Sequence, residues 1–201
     1  MRFSFSHRKS TQALNFFAQK AGGSINKLKA LKLVYFADRY HLRKYGRPIT
    51  SDEYLAMPFG PVASGAKDLA EMSDFLSEDE RTYVQRFLRR SDSDLHAYES
   101  LGSVDERVLS ASDREALAFS WSTFGSMDKY RLADLTHCYP EWKRHEAALA
   151  SSTTSRVRMD YEDFLGDPDA GCDPCHDLTE LEREDRLDLL RESAAFESRW
   201  R

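Results

Sequence analysis

The segment Cys172-Asp-Pro-Cys175-His176 has the residue types and spacing that most invite chemistry. Two thiolates and an imidazole in a C-x-x-C-H order suit covalent haem attachment or, with a fourth ligand, tetrahedral zinc. Haem attachment needs an oxidising compartment, and the opening residues MRFSFSHRKS lack the apolar core of a signal peptide. Zinc would need His137 or Cys138 to arrive as the fourth ligand from elsewhere in the fold. A redox pair is expected amid thioredoxin-like strand–helix alternation, which is missing around these residues. The segment therefore reads as a cysteine-containing acidic loop, with no metal and no cofactor assigned. The six histidines, His7, His41, His96, His137, His145 and His176, are scattered. There is no H-E-x-x-H, G-x-S-x-G or glycine-rich phosphate loop, so no catalytic residue is assigned.

The other chemically suggestive feature is basic. Lys29, Lys32, Phe36, Arg39 and Arg43 recur at spacings of three and four, which puts them on one face of a helix. With Tyr40 they combine phosphate-neutralising charge and stacking faces, the ingredients of a nucleic-acid site. The whole chain is acidic, however, and no second helix is spaced like a helix-turn-helix recognition element. An arginine- and tyrosine-bearing surface is also what a protein-binding hot spot is made of. Lys32, Phe36, Arg39, Tyr40 and Arg43, joined by Met57 and Phe59, are accordingly the expected partner-binding residues. Asp38 and His41, three apart on the same helix, could hydrogen-bond one another and are expected to belong to a satisfied polar network at the core edge, because a buried charge without a partner is costly.

The elements that must position these residues are mostly helical. The chain has 201 residues, 41% hydrophobic and 31% charged, enough for a sizeable core in one domain. Apolar runs are short, so no membrane span is expected, and three cysteines are too few for a disulfide framework, in keeping with a reducing cytoplasm. The net charge of -5 conceals a split. Residues 1–48 hold eleven Lys/Arg against the single acid Asp38, and residues 160–201 hold fourteen acids against five arginines. Such a split predicts either an acidic partner for the N-terminal face or an acidic tail that screens it.

The apolar spacing predicts a helix from about Ser10, ended by Gly22-Gly23, and a second from Lys27 to Tyr45 with Asn26 as its cap and Gly46 as its stop. Ile49 and Tyr54–Met57 suit short strands, Pro58–Pro61 a turn, and a third helix is expected to open at Pro61 or the residues just after it and run to about Met72. Ser77 and Glu80 have capping-box spacing for a fourth helix to Arg89, and Ser112 with Glu115 for another to Gly125. A hairpin around Gly102-Ser103, helices at 129–138 and 140–149, a turn at 161–165 and a charged terminal helix at 177–199 complete the order. The fold class is thus mainly α, a single compact helical domain with a small β-hairpin or short-strand element. Residues 1–166 form the domain and residues 167–201 an acidic loop with a C-terminal helix.

One stretch carries a resemblance. Residues 25–65, INKLKALKLVYFADRYHLRKYGRPITSDEYLAMPFGPVASG, resemble the signature region of the Panacea (SocA-like) antitoxin domain. The likeness rests on the ordered series Tyr35-Phe36-Ala37-Asp38, Tyr40-His41-Leu42, Tyr45-Gly46-Arg47-Pro48-Ile49 and Gly60-Pro61-Val62. Pro58 and Phe59 depart from it, standing where a basic or polar residue and a tyrosine are expected. The resemblance implies a mostly helical, non-enzymatic antitoxin domain that neutralises a cognate small protein toxin by direct contact. It also implies a protease or chaperone as a further partner, since a SocA-like member delivers its toxin to a protease. Some relatives are phage-associated, and a nucleic-acid-binding or phage-associated regulator is the alternative. Self-association into a homo-oligomer stays open.

Overall fold

In the computed structural model, which describes residues 3–151 and 154–199, the second helix forms the axis of the molecule. This helix, α2 (Lys27–Tyr45), starts where the Asn26 side chain accepts the amide of Leu28 and ends at Gly46, whose φ of 71° is left-handed. A side chain at Gly46 would also press on Leu189 of the terminal helix, so both conformation and space select glycine there.

Every residue of α2 from Ala30 to Arg43 is buried. An amphipathic helix would leave one face to solvent, so this pattern means that α2 is packed on all sides. Helix α1 (His7–Lys20), with Ser6 at its N-cap, and helix α5 (Ala111–Phe124) flank it. Helix α6 (Lys129–Leu135), a 3-10 turn at Thr136–Cys138 and short helices α7 (Pro140–Lys143) and α8 (Glu146–Ala150) follow. The terminal helix α9 (Glu180–Arg199) also packs on α2, preceded by a 3-10 turn at Tyr161–Leu165.

Two three-stranded antiparallel sheets edge this bundle. In one, β5 (Ala97–Ser100) lies between β1 (Ser24–Asn26) and β4 (Leu88–Arg90), pairing Ile25 with Tyr98 and Arg89 with Glu99. In the other, β2 (Tyr54–Met57) lies between β3 (Gly60–Ala63) and β6 (Val157–Arg158), with Met57 opposite Gly60 across the two-residue turn Pro58-Phe59. Helices α3 (Ser64–Glu71) and α4 (Glu78–Val84) link the two sheets.

Several boundaries differ from expectation. Of the two expected starts for the third helix the later one holds: Pro61 lies in the return arm of the hairpin, residues 61–63 are strand, and the helix opens at Ser64. The capping box of α5 is Ser110 with Asp113, two residues ahead of the expected Ser112 and Glu115, which frees Glu115 to reach Tyr40, Lys44 and Tyr45. The strand at Ala97 does not fold forward on 104–109; it forms a local hairpin with the preceding β4 and takes the distant β1 on its other edge. Among the described residues no helix is long and apolar enough to cross a membrane.

Candidate protein-binding site

Asp38 is the clearest case of a side chain that builds the site without belonging to its surface. Its carboxylate accepts the amides of Ile49 (2.7 Å) and Thr50 (3.1 Å), the Thr50 hydroxyl (2.5 Å) and the Tyr54 hydroxyl (2.9 Å). Burial pushes its carboxyl up, and these four donors oppose that. The contacts tie α2 to the start of β2. Asp52 continues the chain of bonds by accepting the amides of Gly65 and Ala66 at the first turn of α3, which fixes the far end of β3. His41 belongs to a separate network and does not pair with Asp38. Its Nδ1 lies 2.6 Å from the Arg47 carbonyl, and its Nε2 lies 3.0 Å from the Ser112 hydroxyl. A carbonyl only accepts, so Nδ1 carries the proton, and burial lowers the pKa of the ring.

The expected partner-binding residues of α2 are almost all interior. Lys32, Phe36, Arg39 and Arg43 have no exposed surface, and Tyr40 is 8% exposed. This corrects the surface assignment. Phe36 stacks on Phe124 at 4.0 Å, and Tyr40 stacks on Phe119 at 4.3 Å. Arg39 pairs with buried Glu141 at 3.1 Å and donates to the carbonyls of Phe164 (2.8 Å) and Gly166 (2.6 Å). Arg43 donates to the carbonyls of Leu165 (2.7 Å), Gly166 (2.8 Å) and His176 (2.6 Å), and to Asp167 (2.7 Å). Segment 164–176 is therefore a strap whose backbone oxygens replace water around two guanidinium groups. Two of the basic residues of the N-terminal third are thus met inside the chain, by strap carbonyls and, for Arg43, by Asp167.

The same strap disposes of the cysteine motif. Cys172 is bonded to Cys138, where the sequence suggested free thiols in an acidic loop. The Asp169 amide donates to the Cys138 carbonyl at 2.9 Å, bringing the strap beside the 3-10 turn and the two sulfurs together. Cys175 remains a thiol, buried near Tyr139, and burial pushes it up to about 12. Among the described residues no group of three or more His, Cys, Asp or Glu side chains is placed to hold a metal.

Met57 and Phe59 fare differently. Met57 is partly buried and Phe59 is 64% exposed at the tip of the β2–β3 hairpin. The tip is braced from beneath. The Lys32 ammonium donates to the Pro61 carbonyl at 2.7 Å, and the Trp142 indole donates to the Met57 carbonyl at 2.9 Å. His137 stacks on that indole at 3.8 Å. At Gly60, with φ of 86°, a Cβ would lie 2.1 Å from the Thr136 hydroxyl, so the hairpin presses directly on the 3-10 turn. Phe59 is thus an exposed aromatic on a rigid mount, which loses little entropy on binding. Beside it, Leu28, Leu31, Val62 and Tyr130 line a cleft of about 500 Å³ whose rim carries Lys27, Lys67 and Lys129. Sequence reasoning missed this cleft because its walls come from α2, the hairpin, α3 and α6, which no spacing rule links.

A family model described as "Antitoxin SocA-like, Panacea domain" matches residues 31–143, more than half of the chain. The chain belongs to the SocA-like Panacea antitoxin family. No curated protein and no solved structure matches it. The matched span includes the braced hairpin, most of the cleft and the Asp38 network, and it stops before the strap. A family named for antitoxins points to a protein partner and a non-enzymatic role.

Lys32 gives this Panacea domain a defined pH response. Desolvation lowers the Lys32 pKa from 10.5 to about 7. Between those values the unfolded chain holds a proton that the folded chain does not, so the Lys32 contribution makes stability rise with pH from about 7 to 10.5. Denaturant unfolding at pH 7, 8.5 and 10 should show this rise, on the order of a few kcal/mol. Lys32→Met should flatten it, and an unchanged slope in that variant would contradict the assignment.

Proposed function

We propose that this protein is the antitoxin of a toxin–antitoxin pair and neutralises a small toxin by direct protein contact. The observation that carries the reading is Phe59, an exposed aromatic held on a braced hairpin inside the span that matches the antitoxin family. The basic face of α2, on which a nucleic-acid reading depended, is enclosed by Glu141, α5 and the strap, and has no phosphate-accessible surface at Lys32, Arg39 or Arg43. What supports binding is therefore the hairpin side of the molecule.

The test is co-expression with the product of a small adjacent reading frame that is toxic alone. Growth should recover when the full chain is present. Failure of the chain to rescue any neighbouring toxic product would count against an antitoxin role. Toxin levels in the rescued cells separate two modes: sequestration leaves them unchanged, whereas delivery to a protease lowers them.

A further inference from the structure

The cleft beside Phe59 does not end at the hairpin. Lys27 and Glu71 form a wall shared with a second cleft of similar size, bordered by Ala70, Arg90, Asp92 and Leu95. Leu95 is 89% exposed and Tyr130 is 60% exposed, so large apolar side chains stand open near both ends of this path. Two adjoining clefts of about 500 Å³ suit several side chains of a chain segment better than one small molecule.

The charge along the path is opposite in sign to that of the whole protein. Lys27, Lys67, Lys129 and Arg90 border it against Glu71 and Asp92, while the chain as a whole carries -5. Glu71 is held by both Lys67 (2.7 Å) and Lys27 (3.5 Å), so one carboxylate is shared between two ammonium groups. Lys129 lies over the Tyr130 ring at 5.1 Å and, among the described residues, has no carboxylate partner. The cleft beside Phe59 has an apolar floor and a cationic rim, and the second cleft continues it with mostly charged and polar walls. That arrangement selects a segment presenting apolar anchors flanked by acids.

From this we infer that the paired clefts are the docking surface for an acidic amphipathic segment of the protein partner. The inference rests on the antitoxin reading and adds to it the place and chemistry of contact. Phe59 and Tyr130 grip the anchors, and Lys67 and Lys129 receive the flanking carboxylates.

Two synthetic twelve-residue peptides test this on the intact, isotope-labelled protein by nuclear magnetic resonance. One has leucine and phenylalanine on one helical face and glutamate and aspartate on the other; its twin has lysine at every acidic position. The acidic peptide should shift the amides of Leu28, Met57, Phe59, Val62 and Tyr130. Phe59→Ala and Lys129→Glu, both at exposed positions, should each weaken it by about tenfold or more. The proposal is overturned if the acidic peptide does not bind at millimolar concentration, if the lysine twin binds as tightly, or if the shifts centre on the strap or α9. It is also overturned if sedimentation shows a dimer that Phe59→Ala dissolves, because the occupant would then be a second copy. Growth rescue separates this inference from the reading beneath it. If both variants still neutralise the toxin, the surface is wrong and the antitoxin role stands; if the wild-type chain does not, the role itself falls.

Discussion

Arg39→Ala is expected to destabilise the fold by about 3–5 kcal/mol, and Glu141→Ala by a similar amount, because each leaves the other as an uncompensated buried charge. Both side chains are fully enclosed, and the Arg39 guanidinium also lies 4.5 Å from the centre of the Tyr139 ring. Burial pushes the Glu141 carboxyl up, while Arg39 and the Tyr35 hydroxyl at 2.5 Å favour its charge. Removing Arg39 therefore takes away the strongest support for that carboxylate, and removing Glu141 leaves Arg39 with the strap carbonyls and the Tyr139 ring but no counter-charge. Urea unfolding measures the loss. The double variant Arg39→Met with Glu141→Leu should recover part of it, since an apolar pair carries no desolvation penalty. Recovery should be incomplete, because the Phe164 carbonyl loses its 2.8 Å donor and the buried Tyr35 hydroxyl loses its acceptor. A loss below about 1 kcal/mol for either single variant would be the signature of a surface pair and would contradict the buried strap.

Asp38→Ala is the second large effect, expected at about 3 kcal/mol or more. Four donors converge on this carboxylate, two of them the backbone amides of Ile49 and Thr50. Each buried donor left unpaired costs about 1–3 kcal/mol, with partial relief where a hydroxyl can rotate to another acceptor. Asp38→Asn keeps one acceptor oxygen and should lose less. Hydrogen exchange gives an independent readout: the Ile49 and Thr50 amides should lose protection first, and the β2–β3 hairpin should loosen with them. Protection at those amides that survives Asp38→Ala would contradict the network. Weakened partner binding alongside the stability loss is also expected, since Asp38 positions the strand that carries Met57 and Phe59.

The elements were legible where local chemistry decides them. Asn26, Gly46, the Ser77–Glu80 box and the terminal helix all fall within a few residues of their expected places. The family was legible too, because the Tyr35–Asp38 series and Gly60-Pro61-Val62 mark a shared arrangement, and the structure supplies a physical reason for part of it. Asp38 anchors the segment after α2, while Gly60 lets the hairpin approach Thr136.

What failed was the inference from charge to surface. Five residues of α2 were expected outside because lysines and arginines at helical spacing usually mark a solvated face. Here Phe36 and Tyr40 stack inside the core, Lys32 reaches the Pro61 carbonyl of the hairpin, and the guanidinium groups of Arg39 and Arg43 find carbonyls from a segment more than a hundred residues away. Helical spacing reports which residues share a face but is silent on what covers that face. Asp38 and His41 do sit in polar networks, but in two separate ones, because both side chains found partners outside α2 rather than each other. The Cys138–Cys172 bond was equally out of reach, since it joins residues 34 apart through the path of the strap. Of the expected contact residues only Met57 and Phe59 stay on a surface a partner can reach, and the lysines beside them come from three different helices.

The most direct test of the account is the physical complex. The full chain and the small toxin it protects against, purified together and passed through size exclusion with light scattering, should run as one stoichiometric species. Phe59→Ala should dissociate it at concentrations where the wild type holds. Growth rescue with no detectable complex at any concentration would contradict neutralisation by direct contact.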